Sequence, residues 1–291
     1  MDMAYLREHP HLLPTFLKHQ RIRETPVPGG SICVASRLTL DGGESIFTKS
    51  MRSTAPPGFF ATEAAGLRWL AEPGTVAVAE VLLVTDELLA LEWIEPGEPS
   101  AGAAEEFGRA LAALHAAGAE SFGAPWPGFI GVLPMSNVPE QGSWSAWFWL
   151  RRLLPYAVLS RENGALDEPD LQRIERVGEH LADLDPGEAP ARIHGDLWPG
   201  NLLWGADGRC HLIDPAAHGG HRETDLANLG LFGGVPHLDR ILAAYDEAAP
   251  LADGWRARIG LHQLFLLLVH TALFGRSYRG AVLSALSSIG H

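Results

Sequence analysis

The stretch whose reading decides the fold runs from Arg192 to Pro215, RIHGDLWPGNLLWGADGRCHLIDP. It sets His194, Asp196, Asn201 and Asp214 around two short apolar runs, Leu202 to Trp204 and Cys210 to Ile213, and the Gly205-Ala206-Asp207-Gly208 between them reads as a hairpin. Transfer of a phosphoryl group from ATP needs one carboxylate to orient and deprotonate the attacking hydroxyl. It also needs an amide and a second carboxylate to hold magnesium against the phosphates. An HxD-x4-N loop followed by a strand that ends in Asp supplies those groups in that order. In this reading Asp196 is the base, Asn201 and Asp214 are the metal ligands, and His194 supports the loop.

The same chemistry calls for partners upstream: a lysine on the third strand to reach the phosphates, and a helix glutamate to fix that lysine by an ion pair. Lys49 lies near the end of the third expected strand, in IFTKS, and Glu63 on the first expected helix. Pro28-Gly29-Gly30-Ser31, between the first two strands, lacks the GxGxxG spacing, but its backbone amides are placed to close over phosphates. Leu91-Glu92-Trp93-Ile94 ends the last strand of this part, and Glu92, Trp93 and Ile94 are the expected backbone contacts for an adenine edge.

Composition sets outer bounds. The chain has 291 residues, 46% hydrophobic and 20% charged, enough for a sizeable core. Acidic residues outnumber basic ones 35 to 22, a net charge of −13, which argues against nucleic acid or an anionic membrane as partner. Only Lys18 and Lys49 among the basic residues are lysines. Two cysteines, Cys33 and Cys210, make no disulfide framework and no zinc cluster, which fits a reducing cytoplasmic setting. The most apolar stretch, LHQLFLLLVHTALFG, reads as a buried core helix, too short and interrupted to span a bilayer. The default expectation is a monomer.

The pattern shifts near Glu95-Pro96-Gly97, so an α+β, bilobal fold is expected. Residues 1–94 form a small antiparallel-sheet, nucleotide-binding lobe and residues 95–291 a larger, mainly helical catalytic and substrate-binding lobe. Strands are expected over residues 21–27, 32–40, 44–50, 78–84 and 88–94, with the hairpin signal Asp41-Gly42-Gly43 joining the second and third. Helices are expected over 59–71, 103–117, 144–154, 171–184, 223–232, 238–247 and 255–274.

These residues resemble the fructosamine (ketosamine) kinases, within the wider protein-kinase-like group that includes aminoglycoside and choline phosphotransferases, which implies that the bilobal fold is protein-kinase-like. HGDLWPGN at His194 to Asn201 carries the resemblance, and IDPAAHGGHRETDLA, LFGG at Leu231 to Gly234 and HQLFLLLVHTALFGRSYRG extend it. Upstream, GGSI, FTK and EAAGLRWL fit too, so it covers nearly the whole chain. The resemblance implies ATP- and Mg2+-dependent phosphorylation of the C3 hydroxyl of a ketosamine, free or protein-linked, giving an unstable 3-phosphate whose loss frees the amine. It implies Asp196 as proton acceptor, Lys49 as phosphate contact, Glu92 to Ile94 as the adenine hinge and Trp198 as a substrate wall, a role suited to an aromatic ring on a sugar's CH face. Ser31 stands where some members carry a redox-linked cysteine, so that regulation is not expected. Pro215 replaces the phenylalanine of DFG, and no APE-like segment follows, which disfavours a protein substrate read through an activation segment. His218 and His221 follow the metal aspartate as candidate substrate contacts, His221 above all, with a structural hydrogen-bonding role as the alternative for a glycine-flanked loop histidine, and Asp225 is placed to brace the catalytic loop. The competing readings are an aminoglycoside- or choline-type phosphotransferase, a non-catalytic nucleotide-binding module and a metal-dependent phosphoesterase. The last is disfavoured by Trp198 and Pro199 standing where a histidine ligand is wanted.

Overall fold

The computed structural model describes residues 9–13, 15, 21–28, 32–140 and 142–289. Lys18 and the expected phosphate-covering residues Gly29, Gly30 and Ser31 lie outside them. Strands β1 (Arg23–Pro26), β2 (Cys33–Thr39) and β3 (Ser45–Met51) lead into helix α1 (Phe59–Ala71), followed by β4 (Ala77–Val78), β5 (Val81–Val84) and β6 (Leu88–Glu92). The main sheet has the order β1-β2-β3-β6-β5 and all its pairs are antiparallel. The Asp41-Gly42-Gly43 turn forms as expected: Gly43 sits at φ +87° and its amide donates to Leu40 O at 2.9 Å. α1 packs Phe59, Phe60, Ala64 and Leu67 against Leu89 and Leu91 of the sheet.

The expected single strand over 78–84 is two strands serving different sheets. β4 runs parallel to β11 (Cys210–Leu212), pairing Ala77 with His211 and Val78 with Leu212, and only then does the chain join β6 as β5. The run VAVAEVLLV, apolar but for Glu80, does not reveal from its pattern that its backbone partners change midway. The last strand stops at Glu92, two residues early, because the chain turns to meet the β10 (Leu202–Trp204)/β11 hairpin: Ala206 N donates to Glu95 O and Gly97 N to Trp204 O, both at 2.7 Å. Gly97 is required there, since a Cβ would stand 2.5 Å from Gly205 O.

Beyond this crossing, α2 (Ala101–Ala116) starts with Ser100 accepting from Ala103 N at 3.1 Å. A small hairpin of β7 (Gly128–Ile130) and β8 (Leu133–Met135), not expected from sequence, precedes α3 (Trp144–Phe148). The expected helix over 144–154 breaks into α3, a π-helical turn over Trp149–Leu153 and α4 (Leu154–Glu162). Pro155 explains the break, because it has no N–H for Arg151 O, and the Arg152 guanidinium donates to that carbonyl instead, at 3.1 Å. α5 (Glu168–Glu179) begins three residues before its expected start, where Asp167 and Asp170 form a reciprocal capping box, and a 3-10 turn over Leu181–Leu184 replaces its expected end.

β9 (Ala191–Ile193) pairs with β12 (His218–Gly220) on either side of the β10/β11 hairpin. α6 (Arg222–Asn228) and a short 3-10 turn at Leu231–Gly233 replace the helix expected over 223–232. α7 (Leu238–Ala248), α8 (Trp255–Phe274) and α9 (Arg279–Ser288), the last not anticipated, complete the helical part. Residues 255–288 are apolar and long enough by composition to cross a membrane, but Leu261, Leu264, Phe265, Leu266, Leu267, Leu268 and Val269 of α8 are buried in the largest core cluster.

Candidate active site

The catalytic-loop residues cluster because short strands fix both of its ends. β9 delivers His194 and β10 begins at Leu202, and between them Gly195 turns at φ +81° while Pro199–Asn201 make a 3-10 turn. Gly195 approaches the opposite chain so closely that a Cβ would lie 2.4 Å from Ala216 O. Asp225 on α6 accepts from His194 N at 2.7 Å and Gly195 N at 2.9 Å, so one fully buried carboxylate holds two successive loop amides. His115 on α2 supports Asp225 from behind, Nε2 to Oδ2 at 3.2 Å, with its Nδ1 2.8 Å from the Tyr245 hydroxyl. Sequence patterning placed Asp225 and missed His115, whose partner is 110 residues away.

His194 is buried between two backbone groups. Asp196 N donates to its Nδ1 at 3.2 Å, which leaves the proton on Nε2 to bond Ile213 O at 2.8 Å. Asp196 follows, its Oδ2 accepting from Asn201 Nδ2 at 2.9 Å; the same amide nitrogen donates to Asp196 O at 2.8 Å and, more weakly, to Asp214 O at 3.4 Å. With Nδ2 so committed, the side-chain carbonyl of Asn201 is the group left for a cation. Burial, with the Asp214 and Asp225 carboxylates nearby, pushes the Asp196 carboxyl up to about 8 against the opposing Asn201 bond.

Lys49 on β3 and Glu63 on α1 meet as expected. Lys49 Nζ lies 2.8 Å from Glu63 Oε2 and 3.1 Å from Asp214 Oδ1, and both Lys49 and Glu63 are buried. Burial raises the Glu63 carboxyl, to about 7, although Lys49 opposes it; burial also works on Asp214, yet Lys49 holds its carboxyl below the usual range. Asp214 occupies a left-handed backbone conformation, φ +51°, rare for a non-glycine residue. Three acidic side chains share a single ammonium: Asp214 stays ionised beside Lys49, while Asp196 and Glu63 titrate nearer neutrality, so the site presents hard oxygen donors to an arriving cation.

At the crossing, Glu92 Oε1 accepts from Glu80 N at 3.1 Å, Trp93 Nε1 donates to Glu95 Oε2 at 2.9 Å beneath the Arg37 guanidinium, and Ile94 packs against the α1 core. Trp198 stands edge-on to Phe232 at 5.5 Å, and Phe232 continues to His270 at 4.6 Å and Tyr278 at 6.2 Å. This aromatic wall joins the catalytic loop to α8 and the turn beyond it. Its members besides Trp198 carried no role in the sequence; their density in FGG, VHTALFG and SYR was the available signal.

His221 departs from expectation. It is 1% exposed, accepts from Glu223 N at 3.2 Å to cap α6, and lies 4.9 Å from the Trp144 ring, so it supports α6 and does not face a substrate. His218 is likewise buried, bonded to Ala216 O at 2.7 Å. His221, Glu223 and His262 converge as metal ligands do, but Arg258 holds both Glu223 oxygens, at 2.6 and 2.8 Å, and the Glu223 amide fixes the His221 proton on Nε2. The donor set therefore does not suit an ion.

A twisted antiparallel sheet with one packed helix, joined to a helical part that carries this loop, defines a protein-kinase-like fold. Solved structures agree: an APH(2'')-IIa complex with gentamicin superposes with TM-score 0.62 over 99% of this chain and 96% of that one, at 14% identity, a likeness of fold alone. The fructosamine kinase family model matches residues 11–289, and the chain belongs to that family. A crystal structure of a Thermobifida fusca protein assigned as a fructosamine-3-kinase is 46% identical with TM-score 0.86, covering 93% of this chain and 94% of that one. A Thermus thermophilus protein named as a ketoamine kinase is 36% identical over 90% of this chain and 92% of its own length. The protein-ribulosamine 3-kinase of Arabidopsis thaliana chloroplasts is 31% identical over 89% and 79%.

Proposed function

We propose that the protein uses ATP and Mg2+ to phosphorylate the C3 hydroxyl of a ketosamine, a glycated amine of the fructosamine or ribulosamine type. The observation that carries the reading is the cluster in which buried Lys49 meets Glu63 and Asp214 while Asn201 meets Asp196, in a chain of the fructosamine kinase family. Asp196 accepts the proton of the attacking hydroxyl; a carboxyl whose range sits near neutrality is matched to that task. Lys49, held by Glu63, contacts the phosphates, and the sequence alone assigns Gly29, Gly30 and Ser31 to the same role. Glu92, Trp93 and Ile94 present the crossing segment to the adenine, with residues 1–94 as the nucleotide lobe and 95–291 as the catalytic one.

The ionised Asp214 carboxylate and the side-chain oxygen of Asn201 suit Mg2+, which when bound supplies charge neutralisation on the phosphates. Trp198 and the wall behind it flank the sugar, whose CH face stacks on an aromatic ring. After transfer, loss of the 3-phosphate frees the amine. A cytoplasmic site of action fits the two free cysteines.

The test is ADP release from ATP and Mg2+ with fructosyl-lysine, ribulosyl-lysine and erythrulosyl-lysine, beside aminoglycosides and choline, with the product located by phosphorus NMR. Turnover of a ketosamine at C3 is expected. Turnover restricted to aminoglycosides or choline would assign the site to that other class of acceptor.

A further inference from the structure

We propose that Arg192 is a positioning residue: it straps the end of α1 to the strand that leads into the catalytic loop, and so sets the Glu63–Lys49 pair against Asp196. The inference rests on the role given above to that pair. Arg192 lies on β9, two residues before His194 and four before Asp196. Its guanidinium centre stands 4.4 Å over the Trp69 ring, Nη1 donates to Trp69 O and to Glu72 Oε2, the latter at 2.8 Å, and Nε reaches Gly118 O at 3.4 Å. One side chain thus ties the last turn of α1 and the end of α2 to β9.

The parts of this contact differ in weight. Glu72 is 68% exposed, and an ion pair in water contributes little. The Arg192 side chain is only 12% exposed, and it combines a charged hydrogen bond to a helix-terminal carbonyl with a ring contact, both stronger where water is excluded. It also sits at the negative end of the α1 dipole. The Trp69 ring is fixed in turn by Trp126, at 5.6 Å. Glu63 lies six residues up the same helix, about 9 Å along its axis, so a tilt at Trp69 carries to Glu63.

A second contact shows that α1 is gripped from the same side. A Cβ on Gly66 would stand 3.2 Å from Ala217 Cβ and 3.5 Å from Pro215 Cγ, in the segment directly after Asp214. Midway along α1 the spacing to the Asp214 segment is therefore set by glycine, and at its end by Arg192. Both anchors come from the part of the chain that holds Asp196 and Asp214, and Glu63, on the same helix, accepts from Lys49 Nζ at 2.8 Å.

The experiment compares Arg192→Met, Arg192→Lys and Glu72→Gln in the full chain, each also in a Glu63→Gln background. It reads KM for ATP, kcat and the hydrogen exchange of residues 59–71. Expected for Arg192→Met is a rise in KM for ATP of about ten-fold, a smaller change in kcat, and faster exchange confined to α1. Arg192→Lys, which keeps the charge but loses the planar fork, gives an intermediate value. Glu72→Gln stays near wild type. In the Glu63→Gln background Arg192→Met adds little further change in KM, because both act through one pair. Unchanged KM and exchange in Arg192→Met, or equal effects in both backgrounds, overturn the strap. Should Arg192→Met not fold, Arg192→Lys carries the same comparison. If wild type turns over no ketosamine, the proposed function fails; nucleotide affinity and α1 exchange still decide the strap.

Discussion

Two carboxylates in this molecule, Asp196 and Glu223, sit in clusters that leave them in opposite electrostatic states. At the catalytic loop Asp196 receives a neutral amide from Asn201 and faces the Asp214 and Asp225 carboxylates, so burial dominates and its carboxyl rises to about 8. Between α6 and α8, burial likewise opposes ionisation of Glu223, but the two hydrogen bonds from Arg258 outweigh it and hold the carboxyl down to about 2. The contrast teaches how to separate a working carboxylate from a supporting one. Glu223 is matched by a fork of donors of opposite sign, whereas Asp196, the proposed base, is left in deficit, so that a proton or cation arriving with the reactants is stabilised there.

The contrast can be broken at several points. The largest effect is expected at the loop: Asp196→Asn should fold and still bind ATP while losing on the order of a hundred- to ten-thousand-fold in kcat, the usual worth of a positioned base. Near-normal turnover would remove Asp196 from that role. At the other cluster, Arg258→Leu strands a buried carboxylate and should cost about 3–5 kcal/mol in denaturant unfolding. A stable variant would show that Glu223 does not depend on its fork. Next, Lys49→Arg should lower turnover by about ten-fold or more, since the guanidinium fork replaces a compact ammonium between two carboxylates; Lys18→Arg should not.

The smallest effect sharpens the contrast most. Because the Asp196 range is raised on folding, the folded state holds a proton that the unfolded chain has lost, so its stability falls as pH climbs from about 4 toward 8. Asp196→Asn should therefore melt higher than wild type, by about 2 °C or more, at pH 8 and above, with the gap closing near pH 4. Glu223, lowered on folding, has the opposite sign: its contribution is complete above about pH 4.5 and is lost as pH falls toward 2. Melting curves of Asp196→Asn and Glu223→Gln across pH 3–9 that ran in parallel would erase the distinction.

Much of the site was readable before any coordinates. Lys49, Glu63, Asp196, Asn201 and Asp214 could be ordered along the chain because phosphoryl transfer demands particular groups and short-range turns leave local signs. The fold class followed from a change in hydrophobic period and was legible to the same degree. His221 was named as a substrate contact because a histidine just after a glycine pair looks exposed in a sequence, whereas here it caps α6 and is packed under Trp144. The π-helical turn had a local cause in Pro155, yet its form depended on Arg152 reaching back to the freed carbonyl.

What the sequence by itself determined is the order of the chemical groups, the helices with strong amphipathic period and the turns at glycine pairs, because these are set by residues within a few positions of each other. Only the tertiary structure decided that β4 leaves the main sheet for β11, that His115 stands behind Asp225, and that Arg192 grips the end of α1. Each of these joins residues more than 100 positions apart, and no local pattern encodes such a pairing. It is settled by which buried donors and acceptors find partners when the whole core closes.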